Sequence, residues 1–147
     1  MYFAIGIYQP KTESNIGTLY RSAHNFGAKY IFTIGRRYKP QCSDTTKAWR
    51  QIPLFEYSDW DAFLACRPKE AQLVFIEQTQ DAKNLKNFTH PKQALYLLGS
   101  EGNGIPSKIM AGHTKVYIDT PMCLNVATAG SITMYDRSVK LPHKSHN

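Results

Sequence analysis

Short runs of β-forming residues alternate with helix-like runs along this 147-residue chain, and that alternation restricts the fold more than any other feature. "YFAIGIY" reads as a strand, "SNIGTLYRSAHNFG" as a helix capped by Ser14 or Asn15 and closed by Gly27, and "YIFTIG" as a second strand. "DTTKAWRQ" reads as a short helix, "PLFEY" as a weak strand and "DWDAFLACR" as a helix opened by acids. "QLVFIEQ" and "ALYLLG" are further strands, "SKIMAGH" a short helix after Pro106, "KVYID" a strand and "NVATAGSITMYDRSVK" a last helix. Strands and helices in this order make an α/β fold, a mostly parallel sheet flanked by helices on both faces. No repeat, low-complexity tract or long linker divides the chain, so residues 1–147 are expected to form one domain around one core. Ligands of such sheets sit beyond the carboxyl ends of the strands, which makes the loops that leave strands the informative ones.

Composition narrows the class. Hydrophobic residues make up 42% and charged residues 20%, the balance of a globular chain. No apolar run approaches the roughly 18 residues of a membrane span, and "MYFAIGIYQPK" lacks the basic region and cleavage site of a secretion signal. Cys42, Cys66 and Cys123 are odd in number and show no metal-ligand spacing, so free thiols, a cytoplasmic location and no bound metal are expected. The formal net charge of +7 favours a polyanionic partner, nucleic acid ahead of an anionic membrane, with plain solubility as the bland alternative.

Three loops stand out. After the first strand comes "QPKTESNIGTLYR", where Asn15 opens a helix whose free N–H groups suit an anion and Arg21 follows six residues later. A helix cap plus a surface arginine would look the same. After "ALYLL" comes "GSEGNGIP", with three glycines in six residues, which marks backbone that turns sharply or approaches a ligand closely. It fits neither the dinucleotide nor the Walker fingerprint, and Glu101 in its middle would repel a phosphate, so a cationic or zwitterionic ligand with an adenine ring suits it better. After "KVYI" comes "DTPMCLNVATAGS", in which Asn125 is a ligand group or a buried N-cap, and Ala127, Ala129 and Gly130 belong to a ligand wall or form a small-residue packing face. Together these loops read as the wall of one cleft. Behind "YIFTIG" a cluster of Arg36, Arg37, Tyr38, Lys39, Trp49 and Arg50 is placed to track phosphates and stack on an unpaired base.

The three loops in this order resemble the motifs of the SpoU-type branch of the α/β-knot (SPOUT) RNA methyltransferases, which methylate ribose 2′-hydroxyls of tRNA or rRNA. "NIGTLYRSA" looks like the first motif, "LYLLGSEGNGIP" the second and "CLNVATAGSITMYDR" the third, and the likeness runs through nearly all the chain. One departure is Cys123, where many members carry serine; a thiol is a weaker hydrogen-bond partner, so its backbone is the surer contact. The resemblance implies a C-terminal segment threaded into a trefoil knot and an obligate homodimer with its cleft at the subunit interface. No membrane association is expected, because the only candidate for a basic amphipathic helix, the C-terminal segment, ends in a short polar tail. It implies S-adenosyl-L-methionine bent in the knot against Gln78, Leu98, Gly99, Gly104, Ile118, Cys123, Leu124 and Ala127.

The chemistry implied is attack of a ribose oxygen on a sulfonium methyl, held in line while the proton leaves. The resemblance puts Arg21 beside the hydroxyl, to orient a phosphate and stabilise developing alkoxide, because a guanidinium is a poor base. Asn15 would hold Arg21 or the ribose, Glu101 would fix the second loop against the first, and Asn125 completes the catalytic set. Tyr135 sits where relatives carry an aromatic near RNA or the interface, or it simply packs. Among RNA targets the wobble ribose of tRNA leads and an rRNA site follows. The rival readings are a non-catalytic knot-fold protein that binds RNA or the cofactor, and a dinucleotide-binding oxidoreductase. The second would want a GxGxxG after the first strand, which "YQPKTESNIG" does not offer.

Overall fold

The computed structural model describes residues 1–35 and 51–142. Its elements are β1 (Tyr2–Tyr8), α1 (Glu13–Asn25), β2 (Ile31–Ile34), β3 (Leu54–Tyr57), α2 (Trp60–Cys66), β4 (Gln72–Ile76), β5 (Lys83–Asn84), a 3-10 turn at Leu85–Asn87, β6 (Gln93–Gly99), α3 (Ser107–Met110), β7 (Thr114–Tyr117) and α4 (Val126–Lys140). The strands form one sheet in the order β3-β2-β1-β6-β4-β7-β5, and every neighbouring pair runs parallel. The expected α/β architecture is therefore what the chain adopts.

Two expectations need correction. Helix α1 begins at Glu13 behind Thr12, so neither Ser14 nor Asn15 is its cap; both lie inside the first turn. The edge strand β5 pairs only Lys83 and Asn84 with β7, too short and too polar a run to carry an alternating signal. The helix expected over "DTTKAWRQ" lies, up to Arg50, outside the described residues. Elsewhere the local rules held: Asp59 caps α2 by accepting from Ala62 N–H at 2.8 Å, and Gly27 leaves α1 at φ 81°.

Both sheet faces are covered, which is why the central strands read as nearly continuous apolar runs. Ile5, Ile7, Tyr96 and Leu98 point to the face occupied by α1 and α4, where Leu19, Tyr20, Ala127 and Met134 meet them. Ala4, Phe32, Leu95 and Leu97 point the other way, toward Phe63 of α2 and Met110. Gly6 is required in β1 because a Cβ there would collide with the ring and carbonyl oxygen of Phe32. Phe32 uses that space to stack on Phe63, with ring centroids 5.2 Å apart.

The far end of α4 is tied down by a chain of hydrogen bonds with one consistent direction. Buried Arg137 donates to the carbonyls of Pro91 (2.6 Å) and Lys92 (2.8 Å) and to the Tyr96 hydroxyl (3.0 Å). Tyr96 O–H lies 2.6 Å from Nδ1 of buried His90, and His90 Nε2 lies 2.7 Å from Asp136, which also takes Lys140 at 2.8 Å. This assigns the proton of neutral His90 to Nε2. Burial pushes the His90 pKa below its ordinary 6.5, against the pull of Asp136.

A histidine with a depressed folded-state pKa binds fewer protons folded than unfolded, so its contribution is present above pH 6.5 and is lost as pH falls through that value toward the folded pKa. Urea unfolding from pH 7.5 to 5 should show stability declining below about 6.5, and His90→Gln should flatten that slope whatever it does to absolute stability. An equal slope in the variant would assign the decline to other groups.

Candidate functional site

A cavity of about 570 Å³ opens at the carboxyl ends of β4, β6 and β7, within the roughly 300–1,000 Å³ typical of small-molecule sites. Its walls come from three segments: Ile76–Gln78 after β4, Leu98–Gly104 after β6, and the stretch from Tyr117 to the first turn of α4. The sheet order explains the location. β6, β4 and β7 are neighbours in the sheet and run parallel, so the loops leaving their carboxyl ends meet in one crevice, where ligands of such sheets sit.

The second loop turns as its glycines require, with Gly102 at φ 86° and Gly104 at φ 61°. Gly99 has a different reason for being glycine. A Cβ there would stand 2.8 Å from the Gly104 carbonyl carbon and 2.9 Å from Glu77 Oε2, so the loop folds flat against the end of β4.

Of the residues expected at a cofactor, Gln78, Leu98, Gly99, Gly104, Ile118, Cys123 and Leu124 all line the cavity. Ala127 does not. It is 1% exposed in the core between α4 and the sheet, and Val126 and Ala129 take the wall positions instead. The helical rotation explains the miss: once Asn125 caps α4, residue 127 faces the sheet. Glu77 is among the lining residues that sequence reading passed over, although an acid directly behind an apolar strand run in "LVFIEQ" was the available signal.

Asn15, Glu101 and Asn125 meet at the rim. Asn125 Oδ1 caps α4, accepting from the N–H groups of Ala127 (2.9 Å) and Thr128 (3.2 Å). Its Nδ2 donates to Asn15 Oδ1 and to Glu101 Oε1, both at 2.9 Å. Asn15 Nδ2 faces the same Glu101 oxygen at 3.5 Å. The N-cap reading of Asn125 thus holds, except that the residue is exposed rather than buried, and Asn125 also lines the cavity. Arg21 stands apart on the exposed side of α1, with no hydrogen bond to the described residues. Its neighbour Ser22 lies against α4, where Ser131 Oγ donates to Ser22 Oγ at 2.8 Å.

Tyr135 is 60% exposed on α4 and touches Phe26 edge to face, with centroids 6.4 Å apart. Arg36, Arg37, Lys39 and Arg50 lie outside the described residues. Among the described residues no His, Cys, Asp or Glu cluster forms a metal-ligand set, and no helix is long and apolar enough to cross a membrane. The cavity is also lopsided in charge. Glu77 and Glu101 line it and, among the described residues, no Lys, Arg or His does, in a chain of net charge +7.

The pattern defining the SpoU rRNA Methylase family matches residues 2–135. A tRNA (guanosine(18)-2′-O)-methyltransferase of Mus musculus is 25% identical in an alignment that covers 84% of this chain and only 8% of that protein. A candidate tRNA (cytidine(34)-2′-O)-methyltransferase of Mycoplasma genitalium is 24% identical in an alignment that covers 91% of this chain and 88% of that protein. A solved structure concerned with 2-OH methylation of C/U34 on tRNA has a TM-score of 0.81 at 23% identity, covering 95% of this chain and 96% of that one. An AdoMet-bound rRNA methyltransferase from Sinorhizobium meliloti has a TM-score of 0.82 at 20% identity, covering 97% of this chain and 57% of that one. These two likenesses show the fold.

The geometry of Asn125 makes its two functions separable. Asn125→Ala removes the cap and both Nδ2 bonds and should cost about 1–2 kcal/mol in urea unfolding. Asn125→Asp keeps a good cap but sets a carboxylate against Glu101, so it should also destabilise at pH 7 and recover as pH falls toward 4. An aspartate variant as stable as the parent at pH 7 would show that the Asn125–Glu101 bond contributes nothing.

Proposed function

The chain belongs to the SpoU rRNA methylase family, and on that premise we propose that it transfers a methyl group from S-adenosyl-L-methionine to a ribose 2′-hydroxyl of tRNA, at the wobble nucleotide. The observation that carries this reading is the junction of the cavity with the Asn15–Glu101–Asn125 cluster, which unites the three sequence motifs at one end of the sheet.

The cavity fits the cofactor on three counts. Its volume suits a nucleoside-sized ligand, apolar side chains such as Leu98, Ile118 and Leu124 offer surfaces for a purine ring, and the glycine loop lets backbone approach closely. Two carboxylates without a lining cation among the described residues disfavour a nucleotide phosphate and suit a ligand carrying a sulfonium and an ammonium. When bound, S-adenosyl-L-methionine supplies an electrophilic methyl group. The protein's share is alignment and charge. Asn125 holds Glu101 and Asn15 in fixed relation, so the rim presents one geometry to the incoming ribose. Arg21, exposed and free of hydrogen bonds to the described residues, is available to a phosphate and to the oxygen from which the proton departs.

Position 34 is favoured because the size-matched relatives point there. The Mycoplasma genitalium protein and the C/U34 structure are nearly this chain's length, whereas the mouse protein that names position 18 is mostly other sequence. A homodimer and a knotted C-terminal segment belong to the same proposal. Ile132, Tyr135 and Val139, spaced i, i+3 and i+7, leave an apolar stripe on α4, and a second copy is its proposed cover. Arg36, Arg37, Lys39 and Arg50 are assigned to the RNA backbone on charge alone.

Methyl transfer from tritiated cofactor to tRNA transcripts tests the reading. Transcripts with 2′-deoxyribose at position 34 should accept nothing, while the same change at position 18 should leave transfer intact; the reverse result would move the target. For the residue roles, Arg21→Ala should keep the dimer in sedimentation equilibrium and keep cofactor affinity. Single-turnover transfer at saturating cofactor and RNA should fall about a hundredfold or more, with Arg21→Lys rescuing little. Near-parental single-turnover rates in Arg21→Ala would remove this arginine from the chemistry.

A further inference from the structure

Glu77 lines the cavity just beyond the end of β4, where its backbone N–H still continues the ladder to Val116 O at 3.0 Å. Its carboxylate lies against the glycine loop. Oε2 would be 2.9 Å from a Cβ at Gly99 and 3.2 Å from a Cβ at Gly104, so glycine at both positions leaves room for the carboxylate. The side chain is half-buried, and among the described residues no cation pairs with it. Burial pushes its pKa above the ordinary 4.5, while the nearby N–H groups of Gln78 and Ile105 pull it back only in part. The folded chain therefore holds that proton more tightly than the unfolded chain, and stability falls as pH rises from 4.5 through the folded pKa. Ionising Glu77 in the folded chain thus opposes folding, and packing alone does not call for an acid here.

An ionised carboxylate offers only acceptors, with more lone-pair directions than two backbone N–H groups use. Facing a nucleoside-sized cavity, such a group meets its chemical complement in two neighbouring hydroxyls. We infer that Glu77 is a cofactor-binding residue whose carboxylate accepts hydrogen bonds from the ribose diol of the bound nucleoside. This rests on the reading of the cavity as the S-adenosyl-L-methionine site, and it adds a specificity element on β4 to the two motif loops that form the other walls. Glu101 is set apart from this task by its place at the rim, where Asn125 and Asn15 face its Oε1. Gln78, the next residue, is exposed and carries donors that a diol does not need.

The test is calorimetric titration with S-adenosylhomocysteine and with its 2′-deoxy and 3′-deoxy analogues, on the parent chain and on Glu77→Gln, with thermal unfolding of both. The parent should bind S-adenosylhomocysteine and lose at least about tenfold in affinity when a ribose hydroxyl is removed. Glu77→Gln should melt at the same temperature or higher, bind S-adenosylhomocysteine at least about tenfold more weakly, and lose little more with the deoxy analogues. Two results would overturn the inference while leaving the cavity assignment intact. One is undiminished binding by Glu77→Gln; the other is a lower melting temperature with the deoxy penalty unchanged, which makes Glu77 a latch for the loop. If the folded parent binds no S-adenosylhomocysteine, the cavity assignment itself fails, and the inference falls with it.

Discussion

One side-chain amide holds the candidate site together. Asn125 spends its oxygen on the first turn of α4 and its nitrogen on Asn15 and Glu101, so three stretches far apart in sequence are fixed by four contacts from one group. Each half of that amide determines the other. The two helix N–H groups can only be served by the oxygen, which leaves the nitrogen to face acceptors. The orientation of the amide is thereby settled by chemistry, and Glu101 is held by a donor rather than by a positive charge.

The opposite end of α4 is secured by different means. Arg137 reaches the Pro91 and Lys92 carbonyls before β6, the Tyr2 carbonyl and the Tyr96 hydroxyl, and the Tyr96–His90–Asp136 relay continues the attachment to Lys140. Between these anchors the helix packs closely on α1, since Gly130 admits Leu19 where any side chain would exclude it. A helix fixed at both ends and along one side presents Asn125 from a rigid support, as a positioning group requires.

The sheet, its helices and the loops that carry chemistry were legible because periodicity and turn residues report local geometry. The apolar run of "ALYLLG" and the glycines behind it led directly to the cavity wall. What stayed hidden depends on tertiary placement. Ala127 and Ala129 are the same residue type two positions apart, and only the rotation of α4 sends one to the core and the other to the cavity. Glu77 looked like the polar end of a strand, and its meaning appears only when Gly99 and Gly104 fold over it. The Asn125 bridge spans 110 residues to Asn15, a separation about which no local pattern carries information.

The strand order also governs how the chain must be assembled in time. β1 is made long before its long partner β6, with Tyr2 set beside Gln93, and the helix that follows it is covered by α4. Parallel pairings this remote pay their loop-closure entropy before any contact rewards it. A growing chain emerging from the ribosome would carry β1 and α1 with their apolar faces uncovered until most of the sequence had been synthesised. The apolar faces of β1 and α1 are then open to premature association until α4 arrives to cover them.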